Sequence, residues 1–210
     1  MSSTLPAIVV SFVAPTLVLV VLFHGLVRCV RPKPRGWAWF AGLTALALGL
    51  AVLPLQGLPL ARWLAGVVDH WSVPTQALLV ARVVQDFFGR ELLRREDRQT
   101  AWFFGAVAGA ALYPMALGLG AFDPYSLGWH FGPLLAGMGI AAVILQWRGN
   151  RFGVVLLLAT VAWALGVPES GNYWDCLMDP FYFLASLGAL GAKLLRRRSP
   201  QLQPPPRGSV

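Results

Sequence analysis

Charge is what this 210-residue sequence has least of: 12% of its residues are Asp, Glu, Lys or Arg, against roughly a quarter in an average globular domain. Acidic residues number nine and histidines three, so acid–base catalysis or metal binding would be confined to a few positions. Cysteine is nearly absent. Cys29 and Cys176 fall in segments read as opposite sides of a membrane, so they cannot bridge each other. Neither has a CxxC partner. HExxH, GxSxG and Walker-type glycine–lysine loops are missing, which excludes the zincin, α/β-hydrolase and P-loop chemistries built on those spacings.

What is present is apolar. Hydrophobic residues make up 57% of the chain, mean hydropathy is +0.62, and long apolar runs recur almost throughout. The expected fold is therefore all-α, a polytopic transmembrane helix bundle of about seven spans. The windows are 7–27, 37–56, 75–93, 101–119, 131–147, 152–167 and 180–195. The first run lacks a positive leading segment and a small-residue cleavage site, so it reads as a retained span rather than a signal peptide.

The distribution of basic residues supports this reading. With the N-terminus outside and the C-terminus cytoplasmic, 15 of the 17 Lys and Arg fall in loops on one side, as orientation signals do. Arg62 and Arg82 are the exceptions. The same clustering argues that the net charge of +8 serves orientation and not nucleic-acid binding. The expected partners are the lipid bilayer and other membrane-protein subunits, and the expected location is a bacterial plasma (inner) membrane, multi-pass.

Residues 57–74, bracketed by Pro59 and Pro74, are too short in their apolar part to cross and read as an outer interfacial segment anchored by Trp63 and Trp71. Residues 199–210, SPQLQPPPRGSV, read as a disordered Pro-rich cytoplasmic tail. Residues 1–198 then form one helical domain. Gly105 and Gly109 form a GxxxG on the fourth span, a spacing that lets helices pack closely.

On this topology the titratable groups outside are Asp69, His70, Asp123, His130, Glu169, Asp175 and Asp179. The densest stretch, ESGNYWDCLMDP at 169–180, carries three of the carboxylates. Asp179-Pro180 suits a helix start, with Asp as N-cap and Pro at the first helical position. If 172–179 is one helix, Asp175 and Asp179 share a face, where like charges repel unless a cation intervenes. Asp175, Asp179 and Glu169 are thus the candidate ligands of a divalent cation. Asp175, Glu169, His70 and His130 are the candidate catalytic groups. No other cofactor is indicated: His24 lies near the inner end of the first span, and His70 and His130, in outer segments where they could meet with Asp69 or Asp123 orienting one ring, read first as polar interface residues and not as paired haem ligands. Gly171-x3-Asp175-x3-Asp179 has the spacing of half the CDP-alcohol phosphotransferase signature, but the preceding stretch, TVAWALGVPES, lacks the other half, and the match is rejected.

Arg82 and Asp86 lie within the third window, four residues apart, and read as an intramembrane charge pair. Three functions follow, in order of preference. The first is a non-catalytic subunit or assembly partner of a membrane complex. The second is a proton, ion or small-solute transporter using Arg82 and Asp86. The third is a membrane-embedded enzyme with an outward-facing acidic and histidine site.

Overall fold

The structure, a computed structural model, describes residues 5–30, 36–67, 71–167 and 170–198. The expected tail at 199–210 lies outside the described residues, as do Asp69, His70 and Glu169. Helices α1 (Leu5–Val30) and α2 (Trp37–Ala51) lead to a two-residue hairpin, β1 (Pro54–Leu55) and β2 (Leu58–Pro59). Then come α3 (Leu60–Val67), α4 (Val73–Phe88) and α5 (Arg95–Ala116), followed by a 3-10 turn at Pro124–Gly128. Helices α6 (Pro133–Trp147), α7 (Phe152–Ala164), α8 (Tyr173–Leu177) and α9 (Pro180–Arg198) complete the order.

Each of the seven apolar windows holds a helix, but their spanning role is corrected. Among the described residues, no helix is long and apolar enough to cross a membrane. For the windows from residue 37 onward the physical reason lies at the helix ends. Helices α2, α4, α6 and α7 have 15, 16, 15 and 13 residues, or ~20–24 Å, against the ~30 Å of a hydrocarbon core. Residues assigned to spans are spent instead on turns: α2 stops at Ala51 and the chain enters the hairpin, while α4 stops at the left-handed Gly89. The longer α5 opens on Arg95, Glu96, Asp97 and Arg98, and α9 closes on Lys193 and three arginines. The seven-span bundle, its outside and cytoplasmic ends and the multi-pass inner-membrane location fall with this finding.

The sorting of basic residues has another origin. Arg28 reaches Asp86 near the end of α4, Arg98 reaches Gln85, Arg151 reaches the carbonyls of Glu91 and Leu92, and Lys193 reaches Gln99. The end of α4, the starts of α5 and α7, and the end of α9 therefore lie together. Arg28, Arg98, Arg151 and Lys193 gather at that end of the described structure.

Residues 57–74, expected at an interface, are entered through a turn in which Gln56 and Gly57 both have positive φ, 51° and 86°. That is the backbone of a tight hairpin whose twist matches the paired strands. Trp63 on α3 donates to the Leu55 carbonyl at 3.0 Å, holding helix and hairpin together.

Two cores form. Val20, Leu43, Ala47, Val83 and Phe87 join α1, α2 and α4. The larger core joins α4 through α9 around Leu112, Phe152, Leu156, Tyr173, Leu177 and Tyr182. The GxxxG is consumed inside it. A Cβ on Gly105 would stand 2.2 Å from Ser186 Oγ, and one on Gly109 2.3 Å from the Phe183 ring, so glycine is what lets α9 lie against α5. The outer faces of α6 and α7 remain apolar, with Ile140, Val143, Leu158, Val161 and Trp147 all exposed.

Candidate functional site

Asp175 and Asp179, two of the carboxylates expected to carry chemistry, do not converge. Asp175 sits in the first turn of α8, and Met178 after it is extended (φ −143°, ψ 135°), so residues 172–179 are not one helix. Asp175 and Asp179 turn to different partners. Tyr125 donates its hydroxyl to both Asp175 oxygens at 3.2 and 3.0 Å, and Ser170 Oγ donates to Oδ2. Asn172 bridges the same two segments: its Nδ2 donates to the Tyr125 carbonyl at 3.0 Å, and its Oδ1 accepts from Trp174 N. Gly128 makes room for it, since a Cβ there would lie 1.8 Å from Asn172 Oδ1.

Asp179 is 1% exposed. Its Oδ1 accepts from Tyr182 N at 2.8 Å, which caps α9. Its Oδ2 accepts from Ser72 N at 3.0 Å, Ser72 Oγ at 2.6 Å and Thr75 Oγ1 at 2.5 Å. One carboxylate therefore joins the starts of α4 and α9, and four donors satisfy its buried charge. Asp97 acts similarly at the basic end. It is 1% exposed, accepts from Arg94 N at 2.7 Å within its own helix start, and from Arg151 N at 3.0 Å where α7 begins.

Arg82 and Asp86 do pair, Nε to Oδ2 at 2.8 Å, but Arg82 is 54% exposed and Asp86 only 11%. Asp86 also has Arg28 at 3.4 Å and the buried His24 at 4.0 Å. The carboxylate is thus the inner member of the cluster and Arg82 a half-solvated arm. An intramembrane pair is replaced by an ion cluster tying α1 to α4. His130 is exposed after the 3-10 turn, and His70 and Glu169 lie outside the described residues. Among the described residues, no three His, Cys, Asp or Glu side chains gather as metal ligands would.

The neighbouring acids are matched by suppressed nucleophiles. Burial, then the charge of Asp175, pushes the Cys176 thiol up to about 12, so little thiolate forms at neutral pH. Burial, then Asp175 through its charge and hydrogen bond, and lastly Asp123, push Tyr125 up to about 12. Burial raises Tyr173 and Tyr182 as well, with Asp179 adding to the latter.

A different feature is built as a binding site. A groove of 690 Å³ opens between α1, α4, α5 and α9. Its walls are Pro15, Val18, Leu78, Leu79, Trp102 and Tyr182, with Arg82, Gln85 and Arg98 at one end. At the other end Trp71 stacks on Phe181, ring centres 5.6 Å apart and planes 18° apart. From sequence, Trp71 reads as a headgroup-boundary anchor and Arg98 as an orientation charge; the fold makes both of them groove residues. The four helices that build the groove are distant in sequence, and no local pattern marks them. The one local signal was Ser72 ahead of Val73-Pro74, an N-cap with proline just inside the helix, which fixes where α4 begins and so which of its residues face the groove. No protein-family model, curated protein or solved structure matches this chain.

Proposed function

We propose that this chain is a non-catalytic binding protein whose working site is the groove between α1, α4, α5 and α9, and that the groove takes an apolar chain. The observation that carries this reading is a mostly apolar cavity of 690 Å³, inside the range of small-molecule sites. The engagement of Asp97, Asp175 and Asp179 in capping or cross-linking the fold supports it.

The assembly role keeps its non-catalytic character here, but the GxxxG is engaged by α9 and leaves no close-packing face for a partner helix at Gly105 and Gly109. The transport reading gains no support from Arg82, which is half in solvent.

The test is calorimetric titration of dodecanol into the full chain and into Ala185→Trp. Ala185 lines the groove and is exposed, so a bulky ring there fills space without disturbing the core. Saturable binding that Ala185→Trp weakens tenfold or more supports the proposal. Absence of binding, or equal binding by the variant, rejects it.

A further inference from the structure

The groove does not end at Arg98. A second pocket of 580 Å³ begins there, lined by Arg95, Arg98, Gln99, Lys193 and Arg196, and Arg98 and Trp102 line both. The two differ in chemistry. The first is mainly aliphatic and aromatic, while the second gathers four cationic side chains and no carboxylate. Among the described residues, Arg95, Lys193 and Arg196 make no ion pair. Lys193 Nζ meets only the neutral Gln99 Oε1, at 3.0 Å.

Arg98 is the hinge between them, and it is held for the purpose. It bonds Gln85 Oε1 at 3.3 Å, Glu91 Oε1 at 3.4 Å and the Leu93 carbonyl at 2.8 Å, in every case from Nη1. The guanidinium is held in place while, among the described residues, Nε and Nη2 have no partner, the arrangement suited to two-pronged recognition of an oxyanion. From Thr75 to Gln85 the groove follows ten residues of α4, ~15 Å of helix, a length an extended dodecyl chain spans.

We propose that the ligand is an amphiphile with a phosphomonoester head, its chain in the groove and its phosphate in the basic pocket against Arg98, Lys193 and Arg196. The identity of the head rests on charge complementarity. Four uncompensated or shared cations favour a group carrying about −1.5 to −2 charges over a singly charged carboxylate. The inference depends on the apolar-chain reading above and adds the head group.

The experiment compares dodecyl phosphate, dodecanol, dodecyltrimethylammonium and inorganic phosphate, each titrated into the full chain, the two ionic amphiphiles below their micelle concentrations and dodecanol below its solubility limit. Dodecyl phosphate should bind at least tenfold more tightly than dodecanol, lose that margin as salt rises, and exceed inorganic phosphate by more. The cationic amphiphile should bind least among the dodecyl compounds. In Lys193→Ala/Arg196→Ala, circular dichroism should be unchanged, both side chains lying at the surface end of α9. Its dodecyl phosphate affinity should drop to that of dodecanol, with dodecanol binding unaltered. Equal affinity for dodecanol and dodecyl phosphate overturns the head-group proposal and leaves the apolar groove standing. Tight inorganic phosphate with no gain from the chain overturns it by showing a free-anion site. Failure of every dodecyl compound to bind overturns both.

Discussion

Thr75 and Asp179, 104 residues apart in sequence, meet through a hydroxyl–carboxylate bond of 2.5 Å. The bond lies where α4 and α9 begin and beneath the aromatic end of the groove, because Thr75 is itself a lining residue. The fold and the proposed site thus share one buried acid.

Asp179→Ala is expected to destabilise the protein by about 3 kcal/mol or more, because it strands buried donors on Ser72, Thr75 and Tyr182 that have no other acceptor of equal quality. Thr75→Val removes one donor and should cost about 1–2 kcal/mol. Urea denaturation followed by circular dichroism measures both. Near-equal midpoints for wild type and Asp179→Ala would show that this joint is dispensable.

Gly105→Ala forces a methyl against Ser186 and Tyr182 and should cost about 1–3 kcal/mol. The companion Ser186→Gly opens the contact and should recover part of the loss, so a double-mutant cycle reports the α5–α9 packing directly. Additive effects would place the strain elsewhere.

The two cysteines should differ sharply in reactivity. Cys29 is exposed and Cys176 buried, and the latter's thiol is pushed up to about 12. One equivalent of a thiol reagent should react quickly at mildly alkaline pH, and the second only in denaturant. Rapid loss of both thiols from the folded chain would contradict the packing of α8.

Alkali should unfold the protein through the same region. Tyr125 and Cys176 both have folded-state values pushed up to about 12, from 10.0 and 9.0. The folded state holds these protons more tightly than the unfolded chain does. Their stabilisation is therefore complete below the ordinary values and is lost as pH rises through about 12. Urea midpoints should fall across that interval, and Tyr125→Phe should flatten part of the decline. An unchanged slope in that variant would assign the effect to other groups.

Magnesium and calcium should leave the urea midpoint where it stands, and so should a chelator. Asp175 is directed at Tyr125 and Ser170, Asp179 at Ser72 and Thr75, so the two do not face a common point. A midpoint that rises with divalent cation would revive the oxygen-ligand site.

The local grammar of this chain was readable, and its long-range joints were not. Asp179-Pro180 reads as a helix start from sequence, and Pro180 is indeed the first residue of α9 with Tyr182 N bonded to Asp179. The positions of apolar helices follow from runs of Leu, Val and Ala. Helix length does not: hydropathy ignores that Val52–Pro59 turns on a positive-φ Gln-Gly pair or that Gly89 ends α4. The acids looked like chemistry because they cluster in sequence. Their partners, Ser72 and Thr75 for one and Tyr125 for the other, come from segments 50–107 residues away by the bonds that join them, and no periodicity points across such distances. Arg98 was legible as a cation but not as the junction of two pockets, since that depends on α5 and α9 lying antiparallel.

Photolabelling with an alkyl diazirine chain and mapping of the labelled peptides tests the central claim most directly. The outer faces of α6 and α7 offer the competing apolar surface. Adducts concentrated on Leu78–Arg82 of α4 and Phe181–Ala185 of α9, and displaced by excess unlabelled dodecanol, are the predicted result. Adducts spread over Ile140, Val143, Leu158 and Val161 without displacement would contradict the groove as the working site.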